Sequence, residues 1–354
     1  MNNLKKYEAL REKLISYIKE NNLKRNDRLL SVREIIHKMG YSYTTVNRTL
    51  IEMEKDGLIT KRQGKGIFVN QIDSVRTNTR VALVIPRDFQ HYKIFMGILF
   101  GVKEVLEKQG IGLLISISNM NHEKEKESIC NLLQNHVNGL IIFLEDHYQR
   151  DFSHIVELKE RNVPFVLVDR YIPELETDFV VVNNEEGMIK VCAYLKYNRF
   201  CEEVIYVYPD VQSLEISSTA EKIKGYRKAM NIFYGQGKAQ IISFDEFLTR
   251  LDTLSERNYP VGVCFNHDEM LLDLNNYLIK GKKQLPNNLH IFGYANSFEK
   301  PLYPTVEQFN GLVGKKAAEI LLRRIKNPDK PVEKVWIEPK LILPDEKENF
   351  HLEK

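Results

Sequence analysis

The chain has little of what cross-linked or membrane-embedded proteins are built from. Its 354 residues include only four cysteines, Cys130, Cys192, Cys201 and Cys264. They are scattered through apolar or helical surroundings without metal-ligand spacing, so neither a disulfide framework nor a zinc site is indicated. Long apolar runs are missing too. The longest, near Phe95 to Val102, is far too short to span a bilayer. The opening residues, Met-Asn-Asn-Leu-Lys-Lys-Tyr-Glu, contain no apolar signal core, so a cytoplasmic protein with no membrane partner is expected.

What the chain does have is unevenly distributed. Hydrophobic residues make up 43%, ample for packed cores, and the length suits a small domain plus a larger one that is itself bilobed. The net charge of +3 hides an asymmetry. Residues 1–80 hold 17 Lys and Arg against 9 Asp and Glu, whereas the remainder holds 34 against 39. The small N-terminal part therefore carries the positive field that favours contact with phosphates.

Local motifs in that part predict a winged helix-turn-helix over residues 1–70. Tyr7, Leu10, Leu14 and Ile18 recur on one face of a first helix that stops near Asn21-Asn22. Ser31-Val-Arg-Glu34 reads as a capping box opening a second helix that ends at Gly40. Ser42 caps a third helix with Val46, Leu50 and Met53 facing inward. Tyr43, Thr44, Thr45, Asn47 and Arg48 then cluster at its N-terminal turns, where a recognition helix reads bases. Gly57 ends that helix, and the strands Leu58–Thr60 and Ile67–Val69 flank a Gly64-Lys65-Gly66 tip. Its glycines allow positive φ and close approach to a phosphate or to the minor groove.

These motifs resemble the GntR family of bacterial transcriptional regulators over residues 7–69. Leu29-Leu30-Ser31-Val32-Arg33-Glu34 matches that family's Leu-Pro-Ser-x-Arg-Glu, with Leu30 where proline is usual. Ser42-Tyr-Thr-Thr-Val46, Asp56-Gly-Leu-Ile59 and Gly64-x-Gly66-x-Phe68-Val69 match its recognition helix and wing. The resemblance implies contacts with double-stranded DNA from Arg33, Tyr43, Thr44, Thr45, Asn47, Arg48, Gln63, Gly64 and Lys65.

Residues 71–79 are polar and aperiodic, as a linker is, and residues 345–354 read as a C-terminal tail. Between them, over residues 80–344, buried apolar strands alternate strictly with helices. The first series runs from Val81–Pro86 to Phe165–Asp169, and the second from Glu186–Tyr197 to Leu289–Phe292. Such alternation predicts an α/β domain of two parallel sheets with a cleft between them. Ligands of open α/β sheets bind beyond the carboxyl ends of the strands. Those ends carry Arg87-Asp88, Glu145-Asp146, Asp169-Arg170, Asn183-Asn184, His267-Asp268 and Tyr294-Ala-Asn296. Carboxylates, amides and cations converging on a cleft suit a polyhydroxylated ligand, because each hydroxyl both donates and accepts.

Segments of this region resemble the LacI-type effector domain, which is itself similar to periplasmic sugar-binding proteins. They include Val137-x-Gly139-Leu-Ile-Ile, Val163-Pro-Phe-Val-Leu-Val-Asp-Arg170, Val180-Val-Val-Asn-Asn184-x-x-Gly187, Lys224-Gly-Tyr226, Ile291-Phe-Gly-Tyr294 and Gly314-x-x-Ala317. A GntR-type head on a LacI-type domain is similar to the AraR-type arabinose repressors. The resemblance implies that Arg170, Lys222, His267, Asp268 and Asn296 surround an effector, together with Glu145 and Asn184. It also implies three backbone crossings between lobes, near Asn183, near Ala295 and after Pro328, and a homodimer that addresses a near-palindromic operator. Three positions depart from the family pattern: Lys222 replaces an arginine, His267 an asparagine, and Ala295 an aspartate.

The expectation is therefore a DNA-binding repressor of carbohydrate-utilisation genes, gated by a sugar and using no cofactor. A solute-binding or sensor module without gene control is the alternative. The helix-turn-helix motifs and the missing signal core stand against it. An enzyme is not expected, since no nucleophile or metal cluster accompanies His267-Asp268.

Overall fold

The computed structural model describes residues 2–70, 79–86, 93–119, 121–144 and 151–343. Contacts divide the chain into two units, Met1–Thr77 and Asn78–Lys354. Most of the expected linker and all of the expected tail fall outside the described residues.

In the first unit three helices, α1 (Asn2–Glu20), α2 (Val32–Met39) and α3 (Tyr43–Lys55), precede an antiparallel hairpin of β1 (Ile59–Arg62) and β2 (Gly66–Val69). The capping box forms as its chemistry requires. The Glu34 amide donates to Ser31 Oγ at 3.3 Å, and the Ser31 amide donates to Glu34 Oε2 at 2.7 Å. Gly40 closes α2 in the left-handed region at φ 74°. Leu10, Leu14, Ile18, Ile35, Val46, Leu50, Met53, Ile67 and Val69 form one buried cluster. Each fully buried side chain of this kind contributes about 1.5–3 kcal/mol, which makes this cluster the apolar core of the unit.

The second unit has two lobes. Lobe 1 is a six-stranded, all-parallel sheet with strand order β13-β7-β6-β5-β3-β4. Its chain order is β3 (Arg80–Ile85), α4 (Lys93–Glu107), β4 (Gly112–Ile117), α5 (His122–Gln134), β5 (Gly139–Phe143), α6 (Ser153–Glu160), β6 (Phe165–Val168) and β7 (Phe179–Val182). Lobe 2 follows with α7 (Asn184–Tyr197), β8 (Glu203–Tyr208), α8 (Ser217–Phe233), β9 (Gln240–Ser243), α9 (Phe244–Ser255), β10 (Val261–Phe265), α10 (Glu269–Gly281) and β11 (Leu289–Phe292). Its four strands are also parallel, in the order β11-β10-β8-β9. The chain then adds β12 (Thr305–Glu307), returns to lobe 1 as α11 (Asn310–Lys326) and β13 (Lys334–Ile337), and ends in β14 (Lys340–Ile342), which pairs antiparallel with β12. The central strands β5, β6 and β7 are apolar and buried along their whole length because helices cover both faces of the sheet. Separate clusters pack the faces of both sheets, around Ile98 and Ile141, around Ala82 and Ile155, around Val263 and Leu274, and around Tyr206 and Tyr226.

The first crossing falls at Asn183, as expected, and the last at Glu338-Pro339, between β13 and β14. The middle one corrects the expectation of a crossing near Ala295. The Ala295 amide still bonds Val306 O within lobe 2, and Val306 is buried among the residues packed on β8. The chain leaves that lobe only at Gln308-Phe309, where Phe309 takes φ 52°. No helix among the described residues is long and apolar enough to cross a membrane.

Helices α4 and α11 cross at very close range, and glycine permits it. A Cβ on Gly101 would lie 2.1 Å from the Gly311 carbonyl oxygen, and one on Gly314 would lie 2.1 Å from Ile98 O. Both obstacles are backbone. A Cβ on Gly311 would meet only Gly97 O, at 3.8 Å. Gly101→Ala and Gly314→Ala should each destabilise the chain by about 1–3 kcal/mol through overpacking. Gly311→Ala should change stability by under about 1 kcal/mol, because it adds helix propensity without a clash. Urea unfolding midpoints of the three variants compare these outcomes directly.

Candidate DNA-reading head and ligand cleft

The head presents polar side chains from three places. Arg33 is exposed on α2, Tyr43, Thr44 and Arg48 are exposed on the first turns of α3, and Asn47 is half-buried beside them. Helical spacing puts Thr44 below Arg48 and Tyr43 below Asn47. The Arg48 guanidinium stacks over the Tyr7 ring, 4.4 Å from its centroid, which holds the cation on the helix surface. Gln63, Gly64 and Lys65 are exposed at the hairpin tip, where Gly64 and Gly66 have φ 69° and 115°.

Thr45 departs from the expected set. It is buried, its hydroxyl lies 2.9 Å from Ser42 Oγ, and its amide donates to the same oxygen at 3.3 Å. Its carbonyl oxygen accepts from Thr49 Oγ1 at 2.9 Å. Residue i+3 of a capped helix turns toward the cap, so Thr45 fastens the start of α3 instead of facing outward.

In the second unit, the expected effector residues divide into two groups. Arg170 and Lys222 lie at the junction of the lobes. Lys222, on α8, is buried; its ammonium donates to Asn266 O at 2.9 Å and sits 4.5 Å from the centroid of the Tyr294 ring. Burial pushes its pKa down to about 8, against the attraction of Asp169. Asp169, held at φ 64° at the end of β6, is pushed up to about 6 by burial, opposed by the Lys222 charge. Arg170 donates to Leu144 O at 3.1 Å, reaches Asp169 Oδ2 at 3.4 Å and stacks on Phe143. It lines a cavity of about 530 Å³ with Phe152 and Ser153 of lobe 1 and Ile216, Ser217 and Ala220 of lobe 2. His267 is half-buried at the end of β10, with Nδ1 3.0 Å from Glu269 Oε2. Burial raises the Glu269 carboxyl, but the His267 contact outweighs that and leaves it below the usual range.

Asp268 and Asn296 are both buried and engaged within lobe 2. The Asp268 carboxylate is buried and accepts from Thr305 Oγ1 at 2.8 Å and from the Ser297 amide at 2.8 Å. It ties the loop after β11 to β12. Asn296 donates from Nδ2 to Glu307 Oε2 at 2.5 Å. Asn184 opens α7, is buried, and bonds Glu221. Glu145 lies outside the described residues, as do Arg87, Asp88 and Asp146.

Two residues absent from the expected set join the lobes. The Tyr171 hydroxyl, just beyond β6, donates to Glu221 Oε1 on α8 at 2.8 Å, and the Tyr171 amide donates to Ser217 Oγ at 3.1 Å. Burial raises the Glu221 pKa, partly offset by hydrogen bonds from Tyr171, Asn184 and Trp336. Tyr171 follows Asp169-Arg170 directly and Glu221 precedes Lys222, so their neighbours were the only sequence signal.

Comparison with known proteins agrees with this division into a head and a bilobed domain. Residues 6–69 match bacterial regulatory proteins of the gntR family, and residues 206–343 match the periplasmic binding protein-like domain. The chain is 22% identical over 366 residues to an arabinose metabolism transcriptional repressor of Halalkalibacterium halodurans, covering 96% of this chain and 95% of that protein. A repressor of the same name from Geobacillus stearothermophilus is 27% identical over 187 residues, covering 52% of this chain and 51% of that protein. Among solved structures, a LacI family transcriptional regulator from Enterococcus faecalis with bound ribose aligns with a TM-score of 0.59 at 22% identity, over 75% of this chain and 97% of that one. The chain thus joins a gntR-family helix-turn-helix domain to a periplasmic-binding-protein-like domain of LacI-type fold.

Proposed function

We infer that this protein is a sequence-specific DNA-binding repressor of carbohydrate-utilisation genes, with a sugar in the cleft between the lobes controlling its grip on the operator. One observation carries the reading. The winged head with its exposed Arg33, Thr44 and Arg48 shares a chain with a two-lobed domain whose junction buries a cation, Lys222, among polar groups of both lobes. The nearly full-length similarity to a protein named for arabinose metabolism supports a pentose as the first candidate. Arg170, Lys222 and His267 are the groups assigned to the effector, with Asn184 beneath them. A homodimer bringing two heads to two half-sites, acting in the cytoplasm where the DNA is, completes the reading. Ligand-driven lobe closure changes operator affinity by the difference in binding free energy between the two shapes, and a few kcal/mol suffices.

Each half of the proposal has its own measurement. In mobility-shift titrations, Arg33→Ala and Arg48→Ala should weaken operator binding at least tenfold and flatten its dependence on log salt, each by about one counterion. Thr44→Ala should relax base preference, whereas Thr45→Val should lower the melting midpoint of the chain. Equal operator affinity in Arg48→Ala and the parent chain would sink the assignment of α3 as the recognition helix.

L-arabinose, ribose and their phosphates should be screened by thermal shift, where a true effector raises the midpoint in proportion to the logarithm of its concentration. Lys222→Met should abolish that shift while leaving DNA binding intact. Affinity should peak between about pH 6 and 8, the window in which Asp169 is ionised and Lys222 protonated. The sign for stability is separate. Folding raises the Asp169 pKa, so its contribution is present at low pH and is lost as pH rises through about 6. Folding lowers that of Lys222, so its contribution is present at high pH and is lost as pH falls through about 8. Asp169→Asn should erase the acid limb of both profiles, and an unchanged limb would assign it to another group.

A further inference from the structure

In lobe 1, at the N-termini of α5 and α6, two histidines and a carboxylate converge. His122 is the first residue of α5, and Glu125 lies one turn further on, so both point from the same face of the helix. His154 comes from the first turn of α6. One ligand atom from each of the three residues lies within 4.8 Å of the other two. His154 Nε2 is 2.7 Å from Glu125 Oε1, and the two imidazole rings meet edge to face with centroids 5.0 Å apart. Glu125 is 1% exposed and His154 9%. Behind them, Asp151 Oδ2 accepts from Lys126 Nζ at 2.7 Å and lies 3.4 Å from His122 Nε2.

We propose that His122, Glu125 and His154 bind a divalent transition-metal ion of the zinc class. Two imidazoles and one carboxylate, with a fourth position open to water, form a donor set that such ions favour, at about 2.0–2.1 Å from each atom. Asp151 supplies the outer carboxylate that orients a metal-bound imidazole, since it engages His122 through Nε2. The charge of Asp151 is balanced by Lys126. Two separate buried His–carboxylate pairs would explain each contact taken alone. They do not explain why both pairs meet at one point between two helices.

The ion would bind α5 to the segment Asp151–His154. Phe152 and Ser153 of that segment wall the cavity lined by Arg170, so metal occupancy should alter ligand affinity as well as stability.

The test uses the intact, untagged chain after chelator treatment. Titration with Co²⁺ should give visible d–d absorption that saturates at one equivalent per chain, and Zn²⁺ should displace it. Zn²⁺ should also raise the melting midpoint. Glu125→Gln keeps the shape and a hydrogen bond to His154, and His122→Gln changes a half-buried position at a helix start. Each should weaken Co²⁺ binding at least about tenfold, given that even outer-shell changes cost about 10–100-fold. Cys130→Ser, at an exposed position on α5, should bind as the parent chain does. Absence of stoichiometric binding by the parent, undiminished affinity in His122→Gln, or loss of binding only in Cys130→Ser would each overturn the site.

Discussion

The junction of the lobes depends on one buried ammonium. Lys222 sits where water cannot solvate it, and removing a charge from water is costly unless other groups replace the hydration. Here the Asn266 carbonyl oxygen accepts a hydrogen bond from the ammonium, the Tyr294 ring offers its negative face, and Asp169 supplies opposite charge from the other lobe. The arrangement constrains its surroundings. Tyr294 has to lie flat beneath the ammonium, which brings its hydroxyl so close to α7 that a Cβ on Gly187 would be 2.1 Å away. Gly187 is therefore required by a charge on a different helix. The pKa values of about 8 and about 6 at Lys222 and Asp169 show that the compensation is partial. A ligand bringing hydroxyls to this place would complete it, which is a physical reason for the cleft to bind one.

How far the sequence could be read follows from the range of the interactions that set each feature. The head was legible almost residue by residue. Caps, a left-handed glycine and helical periodicity act over three or four positions, and Ser31 with Glu34 or Gly40 needs no distant partner. The alternation in the large domain was equally plain for strands covered on both faces. Helix α11 was missed as an element, although Val313, Ala317, Ile320 and Leu321 keep its apolar stripe. It follows the second series of strands but packs in the first lobe, against α4. The strands β12, β13 and β14 are three or four residues long, and their pairings join residues far apart in the chain.

The site residues illustrate a different limit. A strand end gives the position of a side chain but not its direction. His267 and Asp268 are adjacent, yet one approaches Glu269 near Lys222 while the other is buried against Thr305 and Ser297. Successive side chains leave the backbone in different directions on a strand or a helix, so one member of a dipeptide can face a site while the other is buried. The same reasoning separates Thr44 from Thr45 on α3. In each pair, burial and a satisfied hydrogen bond mark the structural member.

The contacts between lobes are of two kinds, and the difference bears on how a ligand can act. Three covalent crossings, at Asn183, Gln308-Phe309 and Glu338-Pro339, fix where the lobes are hinged but leave their angle adjustable. Asp268 stiffens the middle crossing on the lobe 2 side by clamping Thr305 and the loop after β11. The non-covalent contacts are those of Tyr171 with Ser217 and Glu221, of Lys93 Nζ with Phe298 O at 3.4 Å, and of Asp169 facing Lys222. Each such hydrogen bond contributes only about 0.5–1.5 kcal/mol net, so contacts of this kind are weak compared with the fold of either lobe. That ordering is what a switch requires. The hinge survives while such contacts exchange with a ligand, and the energy to be overcome lies within reach of a few sugar hydroxyls bound differently in the two shapes.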